Sequence, residues 1–170
     1  MIPEIFIDVD LYSEDDSFIG VCETLTPPKF MPKVHELLGS NMLWSARVKN
    51  FRFEEPEIEF EMLNKTPQFL RYVDVRPGET RLFTAKCATS DSDGTLHSWV
   101  HKYEVSFGGP DFGGFKPGDQ SKTKAKGDIV YCEILRDGVQ EFEVHRGPPA
   151  KLTVGGVDLL ADLNAAMGRN

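Results

Sequence analysis

The chain has 170 residues, 40% of them hydrophobic and 27% charged, a composition that belongs to ordinary globular proteins and not to disordered chains. No window approaches about 18 consecutive apolar residues, which excludes a helical membrane span. The formal charge of −8 opposes wrapping a nucleic acid through its phosphates, although it leaves room for enclosing one without gripping it.

The opening MIPEIFIDVD lacks the basic start and apolar block of a secretory leader, so synthesis in a cytoplasm is expected. Ile5, Ile7, Val9 and Leu11 alternate with Phe6, Asp8 and Asp10 and predict a strand over 4–12. The polar SEDDS breaks it, and FIGVCETL returns as its expected hairpin partner. After TPPKFMP come KVHELL and MLWSARVKNF, and then EEPEIEFEML, residues 54–63. There Glu55, Glu57, Glu59 and Glu61 occupy every second position and Ile58, Phe60 and Met62 fill the places between. This predicts a half-buried strand with one face made of carboxylates. Acidic residues blunt a sheet edge or decorate a solvated face, yet Glu is a poor strand former. Negative charge selected for its own sake is the sharper reading.

In KTPQFLRYVDV, Thr66 is the expected N-cap and Pro67 the first residue of a short helix over about 67–74, which RPG ends. ETRLFTAKCATS and TLHSWVHKYEVSF follow as strands around an Asp93-Gly94 turn, and KGDIVYCEIL and VQEFEVHR around Asp137-Gly138. Between the two pairs lies GGPDFGGFKPGDQSKTKAKGD, residues 108–128, with six glycines, two prolines and four lysines. It reads as a long functional loop. GVDLLADLNAAMG spaces Leu159, Leu160, Leu163 and Met167 as a helical stripe over about 158–167, closed by Gly168. The expected architecture is a single mainly β domain over 1–170, an antiparallel two-sheet sandwich or small barrel with two short helices.

Signatures of catalysis fail one at a time. Gly109, Gly114 and Lys116 do not form a phosphate-binding loop, because Pro117 follows the lysine where a helix would have to start. His97 and His101 are four apart on a strand, about 13 Å, too far to share an ion. DSDGT has no glutamate at the twelfth position of a calcium loop. No GxSxG and no CxxC occurs; Cys22, Cys87 and Cys132 sit in apolar runs and read as buried reduced thiols. Trp44 and Trp99 lie in alternating segments and read as core, against the alternative of a small β-domain binding a ligand or carbohydrate. No catalytic residue, metal or cofactor is expected.

The C-terminal third carries a family resemblance. KAKGDIVYCEILRDGVQEFEVH followed by VGGVDLLADLNAAMG resembles the end of the major tail tube protein of contractile-tailed bacteriophages, at Asp137-Gly138, Gly156-Val157-Asp158, Leu160, Leu163 and Gly168. DVDLYSEDDSFIGVCETLTPPK looks like that family's opening hairpin, and GSNMLWSARVKN like its glycine–methionine segment. HRGPPAKLTV, after Val144, departs from the acidic run that family members keep there. The resemblance implies a structural protein of the virion tail, made in the host cytoplasm, whose copies form rings of six stacked into a tube. Its implied partners are itself, the sheath, the tape-measure and baseplate or terminator proteins, and double-stranded DNA passing without specific binding; no membrane is involved. On this resemblance Glu55, Glu57, Glu59 and Glu61 are candidates to line the channel. Asp15, Asp16, Phe112, Phe115, Lys116, Lys122 and Lys124, on the N-terminal hairpin and the long loop, are candidates for ring-to-ring or sheath contacts. The tube of a bacteriocin or of a cell-borne injection system is the alternative.

Overall fold

The computed structural model describes residues 2–14 and 16–169. Its long strands follow the period-2 segments: β1 (Glu4–Ser13), β5 (Ala46–Phe53), β6 (Glu57–Leu63), β7 (Arg81–Asp91), β8 (Leu96–Asp111), β9 (Lys122–Arg136) and β10 (Val139–His145). Shorter strands are β2 (Asp16–Ser17), β3 (Cys22–Thr26), β4 (Pro32–Leu37), β11 (Lys151–Val154) and β12 (Val157–Asp158). The helices are α1 (Pro67–Tyr72) and α2 (Ala161–Ala166). Both helices are shorter than expected, and Thr66 caps α1 without a side-chain bond to its backbone. Its hydroxyl instead donates to the Leu63 carbonyl at 3.1 Å.

Every strand pairing among the described residues is antiparallel, and the order β12-β11-β10-β9-β8-β7-β1-β2 runs without closing into a barrel. The sheet forks at β9. One edge of β9 pairs with β8 along most of its length, while the other gives residues 122–128 to β6 and 131–136 to β10. β3 then adds to β6. The core draws on both limbs, with Ile58, Phe60 and Met62 from β6 beside Phe83, Tyr103, Val105 and Val144 from the rest. Its centre is aromatic: Phe60 lies 4.8 Å from Phe83 with the rings tilted by 40°, Phe83 meets Phe107 edge-on at 5.6 Å, and Phe69 of α1 meets Phe18 edge-on at 5.8 Å. Such offset and edge-on pairs add to the area that each ring removes from water.

Three expectations change. The hairpin between 4–12 and FIGVCETL does not form. β2 meets only Tyr12 and Ser13 of β1, and β3 crosses to β6, because buried Phe18 anchors the chain among Phe69, Tyr72 and Phe83 before it can turn back. The 108–128 loop is mostly strand: β8 runs to Asp111 and β9 starts at Lys122, leaving 112–121 irregular. Gly127 is required there, since a Cβ would stand 2.3 Å from Val105 Cγ1 and 2.9 Å from the Ser106 carbonyl. Third, Trp44 is not core. It lies 76% exposed at the end of the β4–β5 hairpin, a two-stranded sheet of its own. Trp99 is half-buried, its indole N–H donating to Glu4 at 3.2 Å. The Asp137-Gly138 turn is as expected, with φ of 48° and 83° carrying the chain between Arg136 and Val139.

Candidate functional site

β6 sets its apolar residues inward because Ile58, Phe60 and Met62 alternate. The same pleat sends Glu57, Glu59 and Glu61 to the opposite face. The register with β9 places Glu59 opposite Lys126 and Glu61 opposite Lys124. Lys126 Nζ lies 3.4 Å from Glu59, and Lys124 and Lys122 lie 3.6 and 3.3 Å from Glu61. Lys122 also reaches Glu23 of β3 at 2.6 Å. The carboxylate row, uninterrupted in sequence, is interleaved in space with a lysine row. Partial burial pushes the Glu61 carboxyl up, but hydrogen bonds and charge from Lys122 and Lys124 outweigh it and hold the group below its ordinary range. The bond to Glu23, then that to Glu61, raises Lys122 in turn.

The two ends of the row differ. Glu57 stands opposite Asp128, a like-charged pair that strand pairing disfavours. Glu55 precedes the strand and is exposed. The lysines were legible as a pattern: Lys122, Lys124 and Lys126 alternate with the small Thr123, Ala125 and Gly127, which is period 2 written in residues that resemble loop.

The residues expected at contacts between rings or with the sheath are scattered. Lys122 and Lys124 belong to the β9 ladder. Phe112, Phe115 and Lys116 sit in the 112–121 segment, where Phe115 is 78% exposed and carries the Lys65 ammonium 3.6 Å from its ring centre. Lys116 pairs with Asp119 at 3.4 Å. Asp16 accepts a 2.7 Å hydrogen bond from the Tyr72 hydroxyl and so ties α1 to β2. Asp15 lies outside the described residues.

A second polar knot joins the sheet's turns. His97 Nδ1 lies 2.9 Å from Asp137, and its Nε2 lies 3.3 Å from Asp91. The Asp137 bond, then the Asp91 bond, raises the imidazole above its ordinary value. His101 meets the Tyr103 hydroxyl at 2.9 Å, and burial lowers it. Cys132 is buried, whereas Cys22 and Cys87 are half-buried. Burial pushes the thiols up, to about 11 for Cys22 and about 12 for Cys132, so neither is a poised nucleophile. An apolar cleft of about 330 Å³ opens between Phe6, Val9, Leu25, Pro27, Trp99 and Tyr103. Among the described residues, no three His, Cys, Asp or Glu side chains are grouped to hold a metal ion.

No curated protein matches the sequence. A chain of the PVC extracellular contractile injection system, from its sheath–tube complex in the extended state, superposes with a TM-score of 0.53 at 12% identity, over 75% of this chain and 87% of that one. A chain of the anti-feeding prophage baseplate, solved with six-fold symmetrisation, superposes with a TM-score of 0.50 at 12% identity, over 75% and 90%. At such identities the likeness is one of fold. The family model for phage tail tube protein FII matches residues 3–168, and the chain therefore belongs to that family of structural tube subunits.

Proposed function

We propose that this chain acts as one domain that assembles into stacked rings of six, forming the tail tube around a channel for double-stranded DNA. The match of the tube family over residues 3–168 carries the reading. Ring number follows the six-fold symmetry named for the baseplate neighbour, and a surrounding sheath follows the sheath–tube complex of the other. Tape-measure and baseplate or terminator proteins are the remaining partners, and the protein is made in the host cytoplasm and ends in the virion tail. Ring closure gives the free sheet edges of one copy something to pair with, the usual remedy for an unprotected edge.

The β6–β9 face, with Glu55, Glu57, Glu59 and Glu61, is the face we assign to the channel. Lys122, Lys124 and Lys126 on it are each held by a carboxylate at 2.6 to 3.6 Å, so none of these three is left free for a passing phosphate. The unrelieved Glu57 and Asp128 add net repulsion. Such a wall gives the moving polymer little to bind, because phosphate contacts are what hold DNA to protein.

Negative-stain imaging of the purified protein tests the assembly: rings or tubes with a central channel are expected, and a persistent monomer at high concentration overturns it. Reversing Glu57 and Glu59 to Lys should leave tubes intact and slow DNA release; unchanged release would remove the channel assignment. The injection-system neighbours support a second reading, a tube of a phage-derived particle that carries other cargo. Tubes isolated from particles devoid of DNA would favour it.

A further inference from the structure

The inward face of the large sheet is solid at one end and hollow at the other. Its side chains stand in rows across the strands, set by the register. Phe83, Tyr103 and Cys132 form one row and are all buried, with Phe60 of β6 and Phe69 of α1 packed on Phe83. Leu11, Ala85, His101 and Ile134 form the next. In the row beyond it Val9, Cys87, Trp99 and Arg136 are each half-buried. The cause is written in β7, whose inward residues shrink from Phe83 to Ala85 and Cys87.

Small side chains in the floor leave the cleft of about 330 Å³ at this end, and a second hollow of about 170 Å³ adjoins it under Pro28, Phe30 and Phe142. Pro27, His101 and Tyr103 line both. Protein interiors are close-packed and leave few gaps larger than a water molecule. An apolar hollow of about 300–1,000 Å³ with a few placed polar groups is the usual form of a small-molecule site.

The polar groups of the cleft are few, and most are committed. Glu4 accepts from Thr89 at 2.6 Å and from Trp99 at 3.2 Å, and Arg136 answers its charge. His101 is the exception. Its Nδ1 lies 2.9 Å from the Tyr103 hydroxyl, whereas its Nε2 has no partner among the described residues. Tyr103 is buried, and that Nδ1 is the one acceptor its hydroxyl has among the described residues. A buried hydroxyl proton without an acceptor is costly. The hydroxyl therefore donates, Nδ1 is bare and Nε2 carries the ring's proton. Burial lowers the imidazole and so keeps it neutral near neutral pH. The cleft presents apolar walls, a charge already answered and one hydrogen-bond donor.

We propose that this cleft binds a small, uncharged aromatic molecule whose oxygen accepts a hydrogen bond from His101 Nε2. The preference for a ring follows from β8, where the rings of Trp99, His101 and Tyr103 succeed one another at 6.4 and 6.0 Å and offer aromatic contacts. The volume, at the low end of such sites, suits about two fused rings. A carboxylate would meet Glu4 with no free cation to offset it. An ammonium would find the Glu4 charge already taken by Arg136. An aromatic ketone meets every requirement. The site belongs to the single chain and goes beyond the tube reading without resting on it.

Equilibrium dialysis of the full chain against acetylnaphthalene, naphthalene and naphthoate tests it. The ketone should bind saturably, one per chain and about tenfold tighter than naphthalene, and the carboxylate should not bind. His101→Phe keeps a ring and removes the donor. It should bring the ketone down to the affinity of naphthalene and leave naphthalene unchanged. Cys87→Trp fills the hollow and should abolish binding of both. Circular dichroism verifies the fold of each variant, and the comparison of probes on the unsubstituted chain is decisive even where a variant does not fold. Absence of saturable binding, equal affinity for ketone and naphthalene, or a folded variant that binds the ketone as before overturns the proposal. So does binding to single chains that disappears in rings, which would assign the cleft to a neighbouring copy. All of these results leave the tube reading standing.

Discussion

The β6–β9 ladder and the β4–β5 arm start from similar sequence and end differently. Each is an antiparallel ladder that mixes apolar with charged residues, but β6 also pairs with β3 and β9 with β8 and β10, whereas the two strands of the arm have only each other among the described residues. β6 puts Ile58, Phe60 and Met62 into the core and its carboxylates against lysines; the arm leaves both of its faces open to solvent. Strand pattern states only that a chain has two faces. What covers them is decided by other parts of the chain, or by another chain. Among the described residues, nothing covers the arm's faces.

The contrast is most easily broken on the buried side. Phe60 is fully enclosed among Phe69, Phe83 and Phe107, so Phe60→Ala should lower the unfolding free energy by about 3–5 kcal/mol in urea titration. A loss below about 1 kcal/mol would mean that the aromatic centre is not packed as described. Next in size is Gly127→Ala, whose added carbon meets Val105 and backbone. It should cost about 1–3 kcal/mol, and a neutral result would contradict the β8–β9 register. On the polar side of the ladder, Glu61→Gln should cost about 0.2–1 kcal/mol at low salt, with the difference shrinking in 1 M salt. Trp44→Ser, out on the arm, should change monomer stability by less than about 0.5 kcal/mol. A larger loss would show the arm to be part of the monomer's own fold.

His97 offers a pH probe away from both regions. Its folded-state value is raised above the ordinary 6.5, so its contribution is fully present below that pH and is lost as pH rises through the raised value. Thermal melts from pH 5 to 8 should show a loss of stability on the way up that His97→Gln lacks. An identical slope in the variant would remove the Asp91–His97–Asp137 knot from the account.

Much of this fold was legible in the sequence, for identifiable reasons. Asp93-Gly94 and Asp137-Gly138 located two hairpins, since their backbone demands are local. β6 and the middle of β8 were readable because most of their inward residues are large. The ends of β8 and the start of β9 were not, because glycine, proline and lysine mimic a loop there while Ala125 and Gly127 do the packing. The pairing of Lys126 and Lys124 with Glu59 and Glu61 was hidden because the partners lie more than sixty positions apart in sequence, and register is a property of the assembled sheet. Trp44 misled because it falls in the connection between β4 and β5, before the strand begins at Ala46, and is exposed there.

Glu4 has a consequence for the order in which the chain is completed. Its carboxylate accepts from Thr89 at 2.6 Å, from Trp99, and from Arg136, a residue 132 positions downstream. Closing a loop of that length costs on the order of 4 kcal/mol of chain entropy. A nascent chain that has not yet reached Arg136 lacks this clasp and holds its first strand by the β7 ladder alone. Ile5, Phe6 and Ile7, exposed even in the finished fold, are then least well fastened. Glu4 is thus fully secured only once the chain has been made as far as Arg136.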